Sequence, residues 1–208
     1  MTEGSALLVH VVDDDESMRS ALARLLRAAG YEVRVYASAA DFLRRTPGMG
    51  PECALLDVRL RGPTGLDLQE GLLATDDPMP IVFLTGHGDI PMSVRAMKSG
   101  AVDFLTKPAD HGALLQAVAR ALARSAELRE KREEVRRLRE RFNRLTSRER
   151  EVFAHVVSGQ LNKQVAFDLG TAERTIKAHR HNVMEKMQAH SVADLVRMAQ
   201  ALELSIGS

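Results

Sequence analysis

Cysteine and long apolar runs are the features that this sequence most clearly lacks. Its 208 residues include one cysteine, Cys53, which excludes an internal disulfide and a cysteine-based zinc cluster. No apolar stretch approaches the roughly 18 to 20 residues needed to span a bilayer, and the N-terminus has no secretory signal pattern. Cys53 begins an apolar run, so we expect a buried structural thiol. These absences predict a cytoplasmic protein that makes no membrane contact.

Neither sign of charge dominates the sequence, but its two halves differ. The formal net charge is +1, and the apolar fraction of 45% and charged fraction of 27% are ordinary for a globular protein. Residues 1–126 contain 13 basic and 16 acidic side chains, whereas residues 127–208 contain 16 basic and 12 acidic ones. This split favours an acidic chemical module joined to a module that binds nucleic acid.

Five short strand-like runs alternate with helical patterns in the first half of the chain, and the run at 32–36 alternates between polar and apolar residues. Each run is followed by a stretch with helical spacing, and the runs lie at about 7–12, 32–36, 53–56, 80–84 and 102–105. Strands that alternate with helices in this way predict a five-stranded, doubly wound parallel α/β sheet. We assign this domain to residues 1–125.

Four of these runs end in residues that can handle a metal ion or a phosphate group. Asp13 and Asp14 follow the first run, Asp57 follows the third, and Thr85 and Lys107 follow the fourth and fifth. In open α/β sheets, ligands bind outside the carboxyl ends of the strands, so we expect one shared crevice. Mg²⁺ prefers oxygen ligands and would relieve the repulsion between packed acids. Asp57 could then act as a nucleophile that forms an aspartyl phosphate.

A long helical pattern follows, from near Ala109 to Phe142, and its second part (126–144) is assigned as a linker. Apolar residues recur there at heptad spacing, at Leu128, Val135 and Phe142 and, offset by three, at Leu138 and Leu145. Lys131 interrupts the second series. Two interpretations stay open: a solvated linker helix and a short dimerising coiled coil.

A second, all-helical domain is predicted over residues 145–208. Thr146 and Glu149 have the spacing of a capping box, which marks a helix start. Helices are expected at about 147–158, 162–169, 172–187 and 191–203. The second and third are joined by about three residues that include Gly170, which is typical of a helix-turn-helix, with Thr171 as the expected N-cap of the third helix.

These motifs match a known family. Residues 7–125 resemble the receiver domain of two-component response regulators, and residues 145–205 resemble the LuxR-type helix-turn-helix domain. The runs 85–92 and 96–104 are especially FixJ-like. The whole chain therefore resembles a response regulator of the NarL/FixJ class, which implies a transcriptional regulator and not an enzyme.

The resemblance implies roles for the crevice residues. Asp57 would accept a phosphoryl group from a sensor histidine kinase. Mg²⁺, or Mn²⁺ in its place, would be held by Asp14 and Asp57, by Asp13 largely through water, and by the backbone carbonyl of Arg59. Lys107 would clamp the phosphate and precede a cis peptide bond to Pro108. Thr85 and Phe104 would be the switch residues.

The loop after Asp57 departs from the family. Relatives usually carry Met-Pro three and four residues after the acceptor aspartate, whereas this chain has Leu60 and Arg61. This difference leaves the acceptor assignment intact and bears on the lifetime of the phosphate. His87 could influence water access, or it could be an ordinary solvated loop residue.

The second domain would bind double-stranded DNA, on a site with two-fold symmetry. In a helix-turn-helix the second helix enters the major groove. The candidate DNA contacts are Lys163, Arg174, Thr175, Lys177, Ala178, His181 and Lys186, of which Lys163 and Lys186 would contact phosphates. Phosphorylation is expected to produce a homodimer, and RNA polymerase is a further candidate partner.

Three other functions would use some of the same features. A regulator with the same fold could bind DNA independently of phosphorylation. An aspartate-dependent phosphohydrolase could use the same crevice, but such enzymes usually carry a general acid two residues after the nucleophile, where this chain has Arg59. An RNA-binding antiterminator would be expected to show stacking aromatics on the polar helix face, and none is present there.

Overall fold

A computed structural model describes residues 7–74, 79–86 and 90–202, so that His87 lies outside the described residues. The chain divides into two units, Met1–Arg129 and Glu130–Ser208. Within the described ranges, no helix is long and apolar enough to cross a membrane.

The first unit is built on five parallel strands in the order β2-β1-β3-β4-β5. The strands are β1 Leu8–Val12, β2 Glu32–Tyr36, β3 Glu52–Leu56, β4 Ile81–Thr85 and β5 Asp103–Thr106. The helices between and after them are α1 Glu16–Ala28, α2 Ala39–Leu43, α3 Gly65–Ala74, α4 Ile90–Lys98 and α5 His111–Asn143. The predicted doubly wound parallel sheet is confirmed.

Apolar side chains cover both faces of this sheet. One cluster joins Val9 and Val11 of β1 to α1 and the first half of α5. The other joins Val12 of β1 to α2, α3 and the buried Ala96 of α4. Because both faces are buried, the central strands read as continuous apolar runs in the sequence. Cys53 lies in the first cluster, fully buried, as expected.

Polar contacts hold α5 to the edge of the sheet where the strands begin. The Ser125 hydroxyl accepts a hydrogen bond from the backbone N–H of Glu52 at 3.0 Å. The Arg129 guanidinium donates to the carbonyls of Gly48 and Met49, at 3.4 and 2.8 Å. These contacts fix α5 to the α2–β3 loop in addition to the apolar packing.

The second unit is helical throughout its described part. Its helices after α5 are α6 Ser147–Val157, α7 Asn162–Asp168, α8 Glu173–Met187 and α9 Val192–Ala201. The predicted capping box is present, since the Thr146 side chain accepts from the Glu149 N–H and the Glu149 carboxylate accepts from the Thr146 N–H.

The start of α8 differs from the prediction by one residue. Ala172, and not Thr171, occupies the N-cap position, without a side-chain cap. The Thr171 N–H is used instead in a hydrogen bond to the carbonyl of Ala166 at 2.9 Å. This bond closes the turn after α7, where Gly170 adopts a φ of +60°.

Three of the five apolar residues of the heptad pattern pack in the core of the second unit. Leu138 and Leu145 are buried in the core of the second unit, and the Phe142 ring packs edge-on against Phe153 at 5.3 Å between centroids. Only Leu128 and Val135 of the pattern are left outside this core. Two positions are too few for a coiled-coil seam, which favours the linker interpretation for the remainder.

Candidate functional site

Strand register brings the predicted crevice residues together. Val12 pairs with Leu56 across β1 and β3, so the next residues, Asp13 and Asp57, are neighbours at the carboxyl edge of the sheet. The N–H of Asp57 donates to the carbonyl of Val12 at 2.9 Å, which extends the ladder by one bond. The carboxyl ends of parallel strands are where this fold binds ligands.

Lys107 joins the two acids. Its ammonium lies 2.6 Å from Oδ2 of Asp13 and 2.7 Å from Oδ2 of Asp57. Asp13 and Asp57 are only 2% and 8% exposed, so the three charges interact with little water between them. Burial acts to lower the pKa of Lys107, but the hydrogen bonds to Asp13 and Asp57 outweigh it and raise the pKa above its ordinary value.

The backbone holds the other oxygen of each acid. Oδ1 of Asp13 accepts from the N–H of Asp15 at 2.9 Å, and Oδ1 of Asp57 accepts from the N–H of Arg59 at 3.0 Å. Each carboxylate therefore has one oxygen bound to a loop amide and one bound to the Lys107 ammonium. This arrangement fixes the plane of both carboxylates and turns the two Oδ2 atoms toward a common point.

Asp14 is more open to solvent and has a different partner. Its Oδ2 lies 3.2 Å from Nε of Arg61, which belongs to the loop after β3. A cleft of about 910 Å³ opens beside this pair, lined by Asp14, Asp15, Glu16, Ser17, Arg19, Ser20 and Arg61. The guanidinium of Arg19 donates to the carbonyl of Asp13 at 2.7 Å, so α1 also supports the β1–α1 loop.

The carboxylates of the crevice suit Mg²⁺ if other ligands complete its coordination shell. Among the described residues, no group of three or more His, Cys, Asp and Glu side chains is arranged to hold a metal ion unaided. Mg²⁺ does not require such a cage, because it usually takes one or two carboxylates and fills its remaining positions with water and phosphate oxygens. Asp13, Asp14 and Asp57 carry carboxylate oxygens of the kind that Mg²⁺ prefers, at one edge of the sheet.

The predicted switch residues lie on the two strands beside the acids. Thr85 ends β4, is fully buried and pairs in register with Thr106, and its carbonyl accepts from the Lys107 N–H at 2.8 Å. The Phe104 ring is half-buried against Phe83, with 6.1 Å between centroids. The predicted cis peptide bond between Lys107 and Pro108 is present.

Gly65 is a site residue that the sequence analysis missed. Its N–H donates to the carbonyl of Val58 at 2.9 Å at the start of α3. A Cβ at this position would lie 2.3 Å from the carbonyl oxygen of Asp57 and 3.1 Å from Cα of Val58. Only glycine fits at position 65. The sequence shows two glycines in this loop, Gly62 and Gly65, but which of them approaches Asp57 depends on the tertiary fold.

In the second unit, the predicted DNA-contacting face of α8 is exposed. Arg174, Thr175, Lys177, Ala178 and His181 are all open to solvent, as is Lys163 on α7. On the opposite side of α8, Ile176, Val183 and Met187 are fully buried in the core. Arg180 donates to the side-chain oxygen of Asn162 at 3.0 Å, which ties α8 to α7.

Lys186 has a partner within the protein. Its ammonium lies 2.8 and 2.6 Å from the two carboxylate oxygens of Glu149. Glu149 is 3% exposed and also closes the capping box of α6. The ion pair therefore links α6 to the end of α8, and the phosphate contact of Lys186 stays a prediction.

Comparison with known proteins agrees with both units. Residues 9–119 match the family described as response regulator receiver domain, and residues 143–199 match the luxR family of bacterial regulatory proteins. Nodulation protein W of Bradyrhizobium diazoefficiens is 48% identical over 98% of this chain and 90% of that protein. Transcriptional regulatory protein FixJ of Azorhizobium caulinodans is 44% identical over 93% of this chain and 92% of that protein. The solved structure of the response regulator StyR is 46% identical, with a TM-score of 0.79 over 94% of this chain and 99% of that one.

Proposed function

Because the chain belongs to the response regulators of the NarL/FixJ class, we propose that it is a transcriptional regulator controlled by phosphorylation of Asp57. The observation that carries the proposal is the Lys107 ammonium, which contacts the Oδ2 atoms of both Asp13 and Asp57. An ammonium and paired carboxylates at the carboxyl edge of a parallel sheet are suited to receive a phosphoryl group and a divalent cation.

The chemistry is transfer of a phosphoryl group from a phosphohistidine of a sensor kinase. Oδ2 of Asp57 is the nucleophile, because the backbone N–H of Arg59 holds Oδ1 in place, whereas the Lys107 ammonium that holds Oδ2 is on a side chain that can move to a phosphoryl oxygen. A bond forms between Oδ2 and phosphorus as the bond from phosphorus to the histidine nitrogen breaks, and the released imidazole takes up a proton. Asp14, Asp57 and the Arg59 carbonyl, with Asp13 largely through water, would hold Mg²⁺ or Mn²⁺, and the bound cation would offset the charge of the phosphoryl oxygens.

Lys107 and Thr85 then contact the phosphoryl group on Asp57. Once Oδ2 of Asp57 is esterified, the Lys107 ammonium pairs with a phosphoryl oxygen, which is charged and therefore a stronger hydrogen-bond acceptor than the ester oxygen that Oδ2 has become. The Thr85 hydroxyl donates to another phosphoryl oxygen, and Phe104 follows the movement. Contacts of this kind bias a two-state surface built on α4 and β5.

The α4 surface has the composition of an interface. Ile90 is 80% exposed, and Val94 and Met97 are each 45% exposed on the same helix. Adjoining apolar groups on an exposed helix are typical of a surface that binds a partner. We propose that phosphorylated copies dimerise there, which pairs two second units on a DNA site with two-fold symmetry. RNA polymerase is a further partner of the DNA-bound dimer.

The DNA contacts are proposed on α7 and α8. Arg174, Lys177, Ala178 and His181 contact base edges, Thr175 lies beside them, and Lys163 and Lys186 contact phosphates. Phosphate contacts orient the domain, whereas base contacts give specificity. Lys186 would contact a DNA phosphate while its ammonium also pairs with the Glu149 carboxylate.

A labelling experiment tests the phosphoryl transfer. Wild type incubated with Mg²⁺ and a small phosphodonor such as acetyl phosphate should acquire one phosphoryl group, and Asp57→Asn should acquire none. Asp41→Asn is the matched control, because Asp41 is an exposed acid whose partners are Ser38 and Arg44. Equal labelling of wild type and Asp57→Asn would refute the assignment.

A second measurement separates this function from a regulator that ignores phosphorylation. Sedimentation and DNA binding of one sample should be followed before and after labelling. A shift to dimer together with tighter DNA binding supports the proposal. An unchanged DNA affinity would favour the regulator that acts independently of phosphorylation.

A further inference from the structure

Arg61 is brought to the crevice by the shape of the loop after β3. The preceding residue, Leu60, is buried in the apolar cluster below α3. The following residue, Gly62, adopts a φ of +98°, which lets the chain reverse direction. The loop is thus anchored on one side of Arg61 and turned on the other. The guanidinium reaches Oδ2 of Asp14 at 3.2 Å, while 88% of the side chain stays exposed.

With Arg61 in place, every acid of the crevice has a basic partner. Asp13 and Asp57 share the Lys107 ammonium, and Asp14 pairs with Arg61. The two pairings differ in strength. Lys107 is largely enclosed with its partners, whereas the Arg61 pair is in contact with water and is correspondingly weak. The Asp14 carboxylate is therefore the oxygen donor that an incoming cation can most readily release from its partner.

We propose that Arg61 competes with the divalent cation for the Asp14 carboxylate and so weakens the affinity of the unphosphorylated protein for Mg²⁺. The inference rests on the proposed function, since it presumes a cation at this edge of the sheet. An uncharged residue at this position could not compete in this way.

The expected size of the effect follows from the exposure of the pair. An exposed ion pair of this kind changes an equilibrium by about two- to fivefold. Freeing Asp14 should therefore lower the dissociation constant for Mg²⁺ by about two- to fivefold at low ionic strength. The difference should shrink as salt is raised, because the screening length falls to about 10 Å at 0.1 M.

Calorimetric titration with Mg²⁺, without any phosphodonor, measures the effect on the full chain. Arg61→Gln removes the charge and keeps most of the side-chain length, while Arg61→Lys keeps the charge. Arg44→Gln is the control, because it removes the same charge from another exposed ion pair, the one with Asp41. We expect tighter Mg²⁺ binding by Arg61→Gln, and binding close to wild type for Arg61→Lys and Arg44→Gln.

The outcomes separate the inference from the function on which it rests. If wild type binds Mg²⁺ and Arg61→Gln binds it with the same affinity, the inference is overturned and the proposed function stands. If Arg44→Gln tightens binding as much as Arg61→Gln, the effect is one of net charge, and the inference is again overturned. If neither wild type nor Arg61→Gln binds Mg²⁺, the proposed function itself fails.

Discussion

Gly65 gives the sharpest test of how the phosphoacceptor is held in position. Its backbone approaches the carbonyl of Asp57 so closely that an alanine Cβ would lie 2.3 Å from that oxygen. The atoms that a Cβ at position 65 would meet are all backbone atoms, since the next nearest after the Asp57 oxygen is Cα of Val58 at 3.1 Å. No side-chain rotation can relieve the contact. Gly65→Ala must therefore move either the start of α3 or the end of β3.

The same helix contains a matched control. Gly71 lies within α3, is exposed, and has no atom within 4 Å of the position that a Cβ would take. Overpacking of a site without free space costs about 1–3 kcal/mol, so Gly65→Ala should lower the free energy of unfolding by that amount. Gly71→Ala should raise it by about 0.5–1 kcal/mol, since alanine is the better helix former.

Urea unfolding measured by tyrosine fluorescence is suited to the comparison. The chain has no tryptophan and two tyrosines, Tyr31 and Tyr36, both in the first unit. The signal therefore reports on the unit that contains the substitutions. Labelling with acetyl phosphate and Mg²⁺ should fall about tenfold to a hundredfold in rate for Gly65→Ala, because small displacements of reacting groups are costly.

Two results would refute this reasoning. Gly65→Ala with the stability and labelling rate of wild type would show that the close approach is not a constraint. Equal destabilisation by Gly71→Ala would show that the loss comes from α3 in general and not from the contact with Asp57.

Three further outcomes are expected. Glu149 is buried, which acts to raise its pKa, but its hydrogen bonds to Lys186 and Thr146 outweigh burial and lower the pKa. The stabilisation by the Glu149 carboxylate is therefore complete above the unfolded pKa near 4.5 and is lost as the pH falls through the lower folded pKa. Glu149→Gln should destabilise the second unit by about 1–3 kcal/mol at pH 7. If far-ultraviolet melts showed the same stability difference between Glu149→Gln and wild type at pH 3 as at pH 7, this reasoning would be contradicted. Burial raises the pKa of Cys53 to about 12, so Ellman's reagent should modify the thiol at pH 8 in denaturant only, and rapid reaction of native protein would count against the packing. The buried Gln69 amide donates to the carbonyls of Ala96 and Ser99, at 3.2 and 3.0 Å; Gln69→Leu should cost about 1–3 kcal/mol in urea unfolding, and an unchanged midpoint would show that α4 does not depend on these bonds.

Local sequence patterns predicted the elements of the fold well. Continuous apolar runs predicted β1, β3 and β4, because strands covered on both faces leave such a signal. The edge strand β2 was predicted from its alternation of polar and apolar residues. The capping box at Thr146 and Glu149 was also visible, since both partners lie within one helical turn. The start of α8 was misplaced by one residue because threonine is a favoured N-cap residue, whereas the position is occupied by Ala172, which has no side-chain acceptor.

Contacts between distant parts of the chain were not predictable. Lys107 could be assigned to the crevice, but its simultaneous contact with Asp13 and Asp57 depends on strand register. The fully buried His10 of β1 is a further example. Its ring nitrogens lie 3.1 Å from the Tyr36 hydroxyl and 3.0 Å from the Glu52 carboxylate, and no local pattern indicates either partner.

The geometry of the crevice explains why a change at Asp57 would be felt at α4 and β5. Phosphorylation of Asp57 would convert the oxygen that holds Lys107 into an ester oxygen, so one of the two hydrogen bonds of the ammonium would have to be replaced. Lys107 directly follows β5, and its N–H is bonded to the carbonyl of Thr85 at the end of β4. Any shift of Lys107 toward a phosphoryl group therefore acts on the ends of both strands. Phe104 packs on Phe83, two residues before Thr85, in the apolar cluster that also contains Ala96 of α4. The same shift would therefore alter the packing beneath α4, and one short segment would couple the crevice to the proposed interface.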